Sequence, residues 1–97
     1  MKLTKVQIRY LRGLCHNLKP VVMVADKGLS ENVMAEIELA LSHHELIKIK
    51  LRGDKTQRSD WLQTIASKTA AETVQSIGQV VCLFRRNPDR PKVALPI

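Results

Sequence analysis

The sequence predicts an α/β fold: a single domain of element order α-β-α-β-α-β-β with a four-stranded mixed sheet packed by helices. Three observations carry this expectation. Amphipathic helices begin at good N-caps, one strand alternates strictly between apolar and basic residues, and short apolar runs are bounded by Pro and Gly. At 97 residues the chain builds one core, read as a domain over 1–97 with an ordered part over about 3–86 and an irregular end over 87–97.

Helix one starts at Thr4, an N-cap that forms a capping box with Gln7, and Leu3 can staple onto Ile8. Ile8, Leu11, Leu14 and Cys15 make its apolar stripe, while Lys5, Arg9 and Arg12 make a separate basic one. Pro20 halts the helix and starts strand one, which continues through Val21–Val24. Helix two runs from Ser30 to about His44 on Val33, Met34, Ile37 and Leu41, with Leu29 as a staple against Met34. Its outer face carries Glu31, Glu36 and Glu38, which repel phosphate and confine any nucleic-acid contact to the N-terminal end and the loop before it.

Strand two, Leu46 to Arg52, sets Ile47, Ile49 and Leu51 on one face and Lys48, Lys50 and Arg52 on the other. Gly53 and Asp54 close it. Helix three spans about Thr56 to Ala71 and buries Trp61, Leu62, Ile65 and Ala66. Strand three lies near Thr73 to Ile77, and Gly78-Gln79 turns the chain into strand four, Val80 to Arg85. Strands one and four are apolar on both sides, so both are expected to be central and covered, with helix one packed on the second face.

Sixteen Lys and Arg against nine Asp and Glu give a net charge of +7, which suits a polyanionic partner. A membrane surface is disfavoured: no apolar run approaches the roughly 18 to 20 residues of a span, and no signal or lipidation motif is present. A cytoplasmic protein is expected. Cys15 and Cys82 read as small buried hydrophobes rather than a bridge, and no metal-ligand spacing accompanies them.

The segment Val21 to Ser30 runs from an apolar strand through a short loop into a capped helix, with Lys27 at the tip and Gly28 free to adopt angles closed to other residues. That is a phosphate-holding arrangement. Tyr10, Trp61 and Phe84 are the only aromatics, so recognition of phosphates and shape is favoured over base stacking on an aromatic platform. No catalytic constellation appears. His43-His44-Glu45 lacks the i, i+4 spacing of a zinc protease, and the histidines suit a helix C-terminus; no Walker loop or nucleophile elbow is present.

Several blocks occur in one order and spacing: Leu11-Arg12-Gly13-Leu14-Cys15-His16, Leu18-Lys19-Pro20-Val21-Val22, Gly28-Leu29-Ser30, Ala35-Glu36-Ile37-Glu38, His43-His44-Glu45-Leu46-Ile47-Lys48, Val74-Gln75-Ser76-Ile77-Gly78 and Leu95-Pro96. In these the chain resembles, from about Leu3 to Leu95, the small bacterial YhbY-like proteins made of one CRM domain. The resemblance implies an RNA-binding module whose fold is similar to the C-terminal domain of translation initiation factor three. It also implies association with precursors of the large ribosomal subunit, and a KH-like GxxG loop. Here that loop reads Ala25-Asp26-Lys27-Gly28, with Ala25 in the place of the first glycine.

The expected RNA-binding surface comprises Lys5, Arg9 and Arg12 on helix one, Ala25, Asp26, Lys27 and Gly28 in the loop, and Lys48, Lys50 and Arg52 on strand two. The expected partner is RNA, specifically ribosomal RNA of large-subunit precursors, bound by a monomer without cofactor, metal, small-molecule substrate or catalysis. The alternative is an adaptor that docks on ribosomal or assembly proteins and touches RNA incidentally.

Overall fold

The computed structural model describes residues 2–97. Its elements are α1 (Lys5–His16), β1 (Pro20–Val24), α2 (Glu31–His44), β2 (Leu46–Leu51), α3 (Lys55–Thr69), β3 (Glu72–Ile77) and β4 (Val80–Phe84). The element order and the mixed four-stranded sheet are those expected. The strands lie in the order β1-β2-β4-β3. β1 and β2 are parallel, while β4 is antiparallel to both β2 and β3.

Side-chain caps set the helix starts. Thr4 and Asp54 each form a full capping box, with Gln7 and Gln57 respectively, and Ser30 accepts from the Val33 N–H. Asp54 therefore opens α3 rather than only closing the strand before it, so α3 begins at Lys55. Its far end comes at Thr69, because Ala70 takes the left-handed conformation at φ 61°.

The two sheet faces are covered differently. α2 and α3 close one face over Val22, Val24, Ile47, Ile49, Leu51, Val81 and Leu83. On the other, α1 lays Leu11 and Cys15 over Leu46, Val74, Cys82 and Phe84. The alternation expected of β2 holds, since Ile47, Ile49 and Leu51 are buried and Lys48 and Lys50 lie on the α1 side.

Two expectations are corrected. β4 is central and buried, but β1 is an edge strand: Val22 and Val24 face the core, while Val21 and Met23 are 50% and 51% exposed on the α1 side. One helix about 10 to 12 Å across cannot cover strands spread over about 14 Å, and α1 lies toward β4 and β3. The second correction concerns Cys15 and Cys82, which are joined in a disulfide. The apolar stripe of α1 places Cys15 directly over the face from which Cys82 projects, so both are buried, as expected, but they are also paired.

Candidate nucleic-acid interface

The loop after β1 is a tight turn anchored at both ends. The Gly28 N–H donates to the Ala25 carbonyl at 2.7 Å, and the Arg52 N–H donates to the Val24 carbonyl at 2.7 Å, tying the loop to the end of β2. Gly28 adopts φ +64°, the left-handed region that favours glycine, whereas Ala25 does not have a positive φ. The turn thus needs glycine at its second end only, and the Ala25 methyl brings no backbone strain. Asp26 and Lys27 are exposed at the tip.

Trp61 supports this loop, a role not evident from its position in helix three. A Cβ on Gly28 would stand 3.4 Å from the indole Nε1, and one on Gly53 would stand 2.9 Å from the ring carbons. The indole therefore sits against both glycines. Arg58, also absent from the sequence expectation, donates from Nη1 to the Gly53 carbonyl at 2.8 Å and adds a cation beside the loop. At the start of α2, Glu31 occupies the first turn and already answers the helix dipole, which leaves Lys27 as the exposed cation at the loop tip.

The expected interface residues fall into two groups. Ala25, Asp26, Lys27, Gly28 and Arg52 come together at the carboxyl ends of β1 and β2. From there Lys50 and Lys48 lead back along β2 on the α1 side, about 6.6 Å apart along the strand. Lys5, Arg9 and Arg12 are exposed on α1, but Arg12 donates from Nε to the Val74 carbonyl on β3 at 3.1 Å. β3 is the edge opposite β1, so the α1 stripe and the loop are not gathered into one patch.

Glu45 is the polar centre that sequence reading missed. It ends α2 at φ 62° and is fully buried. One carboxylate oxygen accepts from the Lys92 and Val93 N–H groups at 2.6 and 2.8 Å, the other from the Asn87 N–H at 2.6 Å, and Arg86 Nη1 lies 3.1 Å away. Burial pushes this carboxyl up. The hydrogen bonds from Asn87, Val93 and Lys92, with the Arg86 charge, outweigh burial and hold it below the ordinary value. The result is that residues 87–93 are clasped against the end of α2.

Glu38 pairs with Arg85 at 2.6 Å, so one of the acidic charges of α2 is neutralised, while Glu31 and Glu36 stay exposed. Among the described residues no group of His, Cys, Asp and Glu could hold a metal ion, and no helix is long and apolar enough to cross a membrane.

Comparison with known proteins gives a consistent picture. The model of the CRS1 / YhbY (CRM) domain family matches residues 3–85. A Haemophilus influenzae protein named "RNA-binding protein" is 44% identical over 95 residues, covering 97% of this chain and 95% of that one. A Pseudomonas aeruginosa protein named "probable RNA-binding protein" is 42% identical over 89 residues, covering 91% and 86%. The solution structure of a hypothetical protein from Staphylococcus aureus superposes with a TM-score of 0.81 at 31% identity, over 98% of this chain and 100% of that one.

Proposed function

The chain belongs to the CRS1 / YhbY (CRM) domain family, and on that footing we propose that it binds structured RNA, specifically ribosomal RNA of large-subunit precursors, and acts in large ribosomal subunit assembly. It works in the cytoplasm as a monomer, by binding rather than catalysis. The observation that carries this reading is the Ala25–Gly28 turn, which sets an exposed Lys27 at its tip and is backed by Trp61 on a chain of net charge +7.

The mechanism is electrostatic and geometric. Lys27 and Arg52 neutralise phosphates at the loop, Lys50 and Lys48 continue the path along β2, and Lys5, Arg9 and Arg12 on α1 meet a separate part of a folded RNA. Two separated basic groups suit a structured RNA better than a single extended strand. Crosslinking and sequencing of the bound RNA in cells, with sedimentation at low and moderate salt, tests this. Crosslinks should concentrate in large-subunit ribosomal RNA and the protein should travel with precursor particles. Comigration without RNA crosslinks would replace the reading with a protein adaptor, and absence of both would leave only the fold.

A further inference from the structure

At the end of the sheet away from the loop, α1, β1, α2 and the C-terminal segment enclose an open groove of about 760 Å³. Its size lies within the roughly 300 to 1,000 Å³ range of small-ligand sites. Leu14, Leu18, Val21 and Val93 give it an apolar lining, and three of these are more exposed than a core requires: Leu14 38%, Leu18 37% and Val21 50%. Lys19, Lys48 and Lys92 stand around this lining, on the segment before β1, on β2 and on the C-terminal segment, together with His43 and His44. No Asp or Glu among the described residues lines it.

We infer that this groove receives an unpaired nucleotide of the bound RNA, with the base on the apolar lining and the flanking phosphates on the lysines. The inference rests on the RNA reading above and adds a base-accepting site to a surface otherwise built for phosphates. A ligand apolar in its middle and anionic on either side fits an apolar floor ringed by cations from three parts of the chain. The imidazole rings supply stacking faces for a base. An acidic peptide is the weaker fit, because it presents its charge along one side of a helix or strand rather than around an inserted group.

The position also agrees with the phosphate path. Lys48 lines the groove and Lys50 lies two residues nearer the loop, so a strand leaving Lys27 along β2 is led to this opening. The clasp on Glu45 holds Val93 and Lys92 in the wall, since both backbone N–H groups are bound to its carboxylate.

The test uses the full chain with two probes: an RNA hairpin carrying one unpaired bulge nucleotide, and the same hairpin fully paired. Methyl NMR should show ring-current shifts at Leu14, Leu18, Val21 and Val93 with the bulged hairpin only. That hairpin should also bind about tenfold more tightly than the paired one. Val21→Asn, a neutral change at a half-exposed position, should reduce the preference to under about threefold and leave affinity for the paired hairpin unchanged. Leu18→Asn should do the same. Equal binding of both hairpins with unmoved methyls overturns the inference. So does a Val21→Asn variant that keeps the preference yet loses comigration with ribosomal particles, which would make the occupant a protein. Failure of both hairpins to bind would instead sink the RNA reading itself.

Discussion

On the side of the sheet that carries α2 and α3, eleven residues form a continuous buried cluster among the described residues, whereas the α1 side buries seven. The first face is closed by the larger apolar cluster beneath two capped helices. The second adds a Cys15–Cys82 crosslink to its smaller cluster, and it leaves Val21, Met23 and Ile77 at 50%, 51% and 65% exposure beside Lys48 and Lys50. The difference lies in how the faces are held: both stabilise the fold, one by packing and the other with a crosslink added. Only the α1 face leaves apolar and basic groups exposed, which in the proposed function face a partner.

If that contrast is correct, the largest single effect belongs to the crosslink. It closes a separation of 67 residues, so reduction should lower stability by about 4 kcal/mol in denaturant unfolding. A negligible loss would mean that α1 is held by packing, as α2 and α3 are. Next, Ile49→Ala on the closed face should cost about 3 kcal/mol by the same measurement, because it opens a cavity where exposure is zero. Val21→Asn on the open face should stay within about 0.5 kcal/mol. Similar costs at the two positions would contradict the contrast.

A smaller effect is expected at Glu45. Glu45→Gln replaces a carboxylate that accepts from three backbone N–H groups, and should cost about 2 kcal/mol and loosen residues 87–93 in amide exchange. Its acid dependence has a definite sign. The folded carboxyl lies below its ordinary unfolded value, so its contribution is complete above the ordinary carboxylate range and is lost as pH falls through the lowered folded value. The variant should lack that part of the acid limb. An unchanged acid profile would show that the clasp contributes nothing to pH-dependent stability.

Local chemistry made much of this fold legible. Thr4 with Gln7, Ser30, and the alternation of Ile47 to Leu51 each act over a few residues, and each produced the expected element. What escaped depends on distant partners. Glu45 is satisfied by residues 41 to 48 positions away, and Cys15 by one 67 positions away. The placement of β1 escaped for another reason: Val21 and Met23 are as apolar as Val22 and Val24, and hydrophobicity does not distinguish a covered face from an exposed one. In the candidate interface, the Gly28 turn and Lys27 could be read from local spacing. The support from Trp61 and Arg58 could not, because α3 reaches the loop only through the tertiary fold.

The most direct test of the loop-centred account is the salt dependence of affinity for a large-subunit ribosomal RNA fragment, measured for the wild type and for Lys27→Ala. Affinity should fall linearly in log salt for the wild type, and the variant should bind more weakly with a slope shallower by about 0.7 to 0.9. The same affinity and the same slope in both proteins would remove Lys27, and the turn that presents it, from the interface.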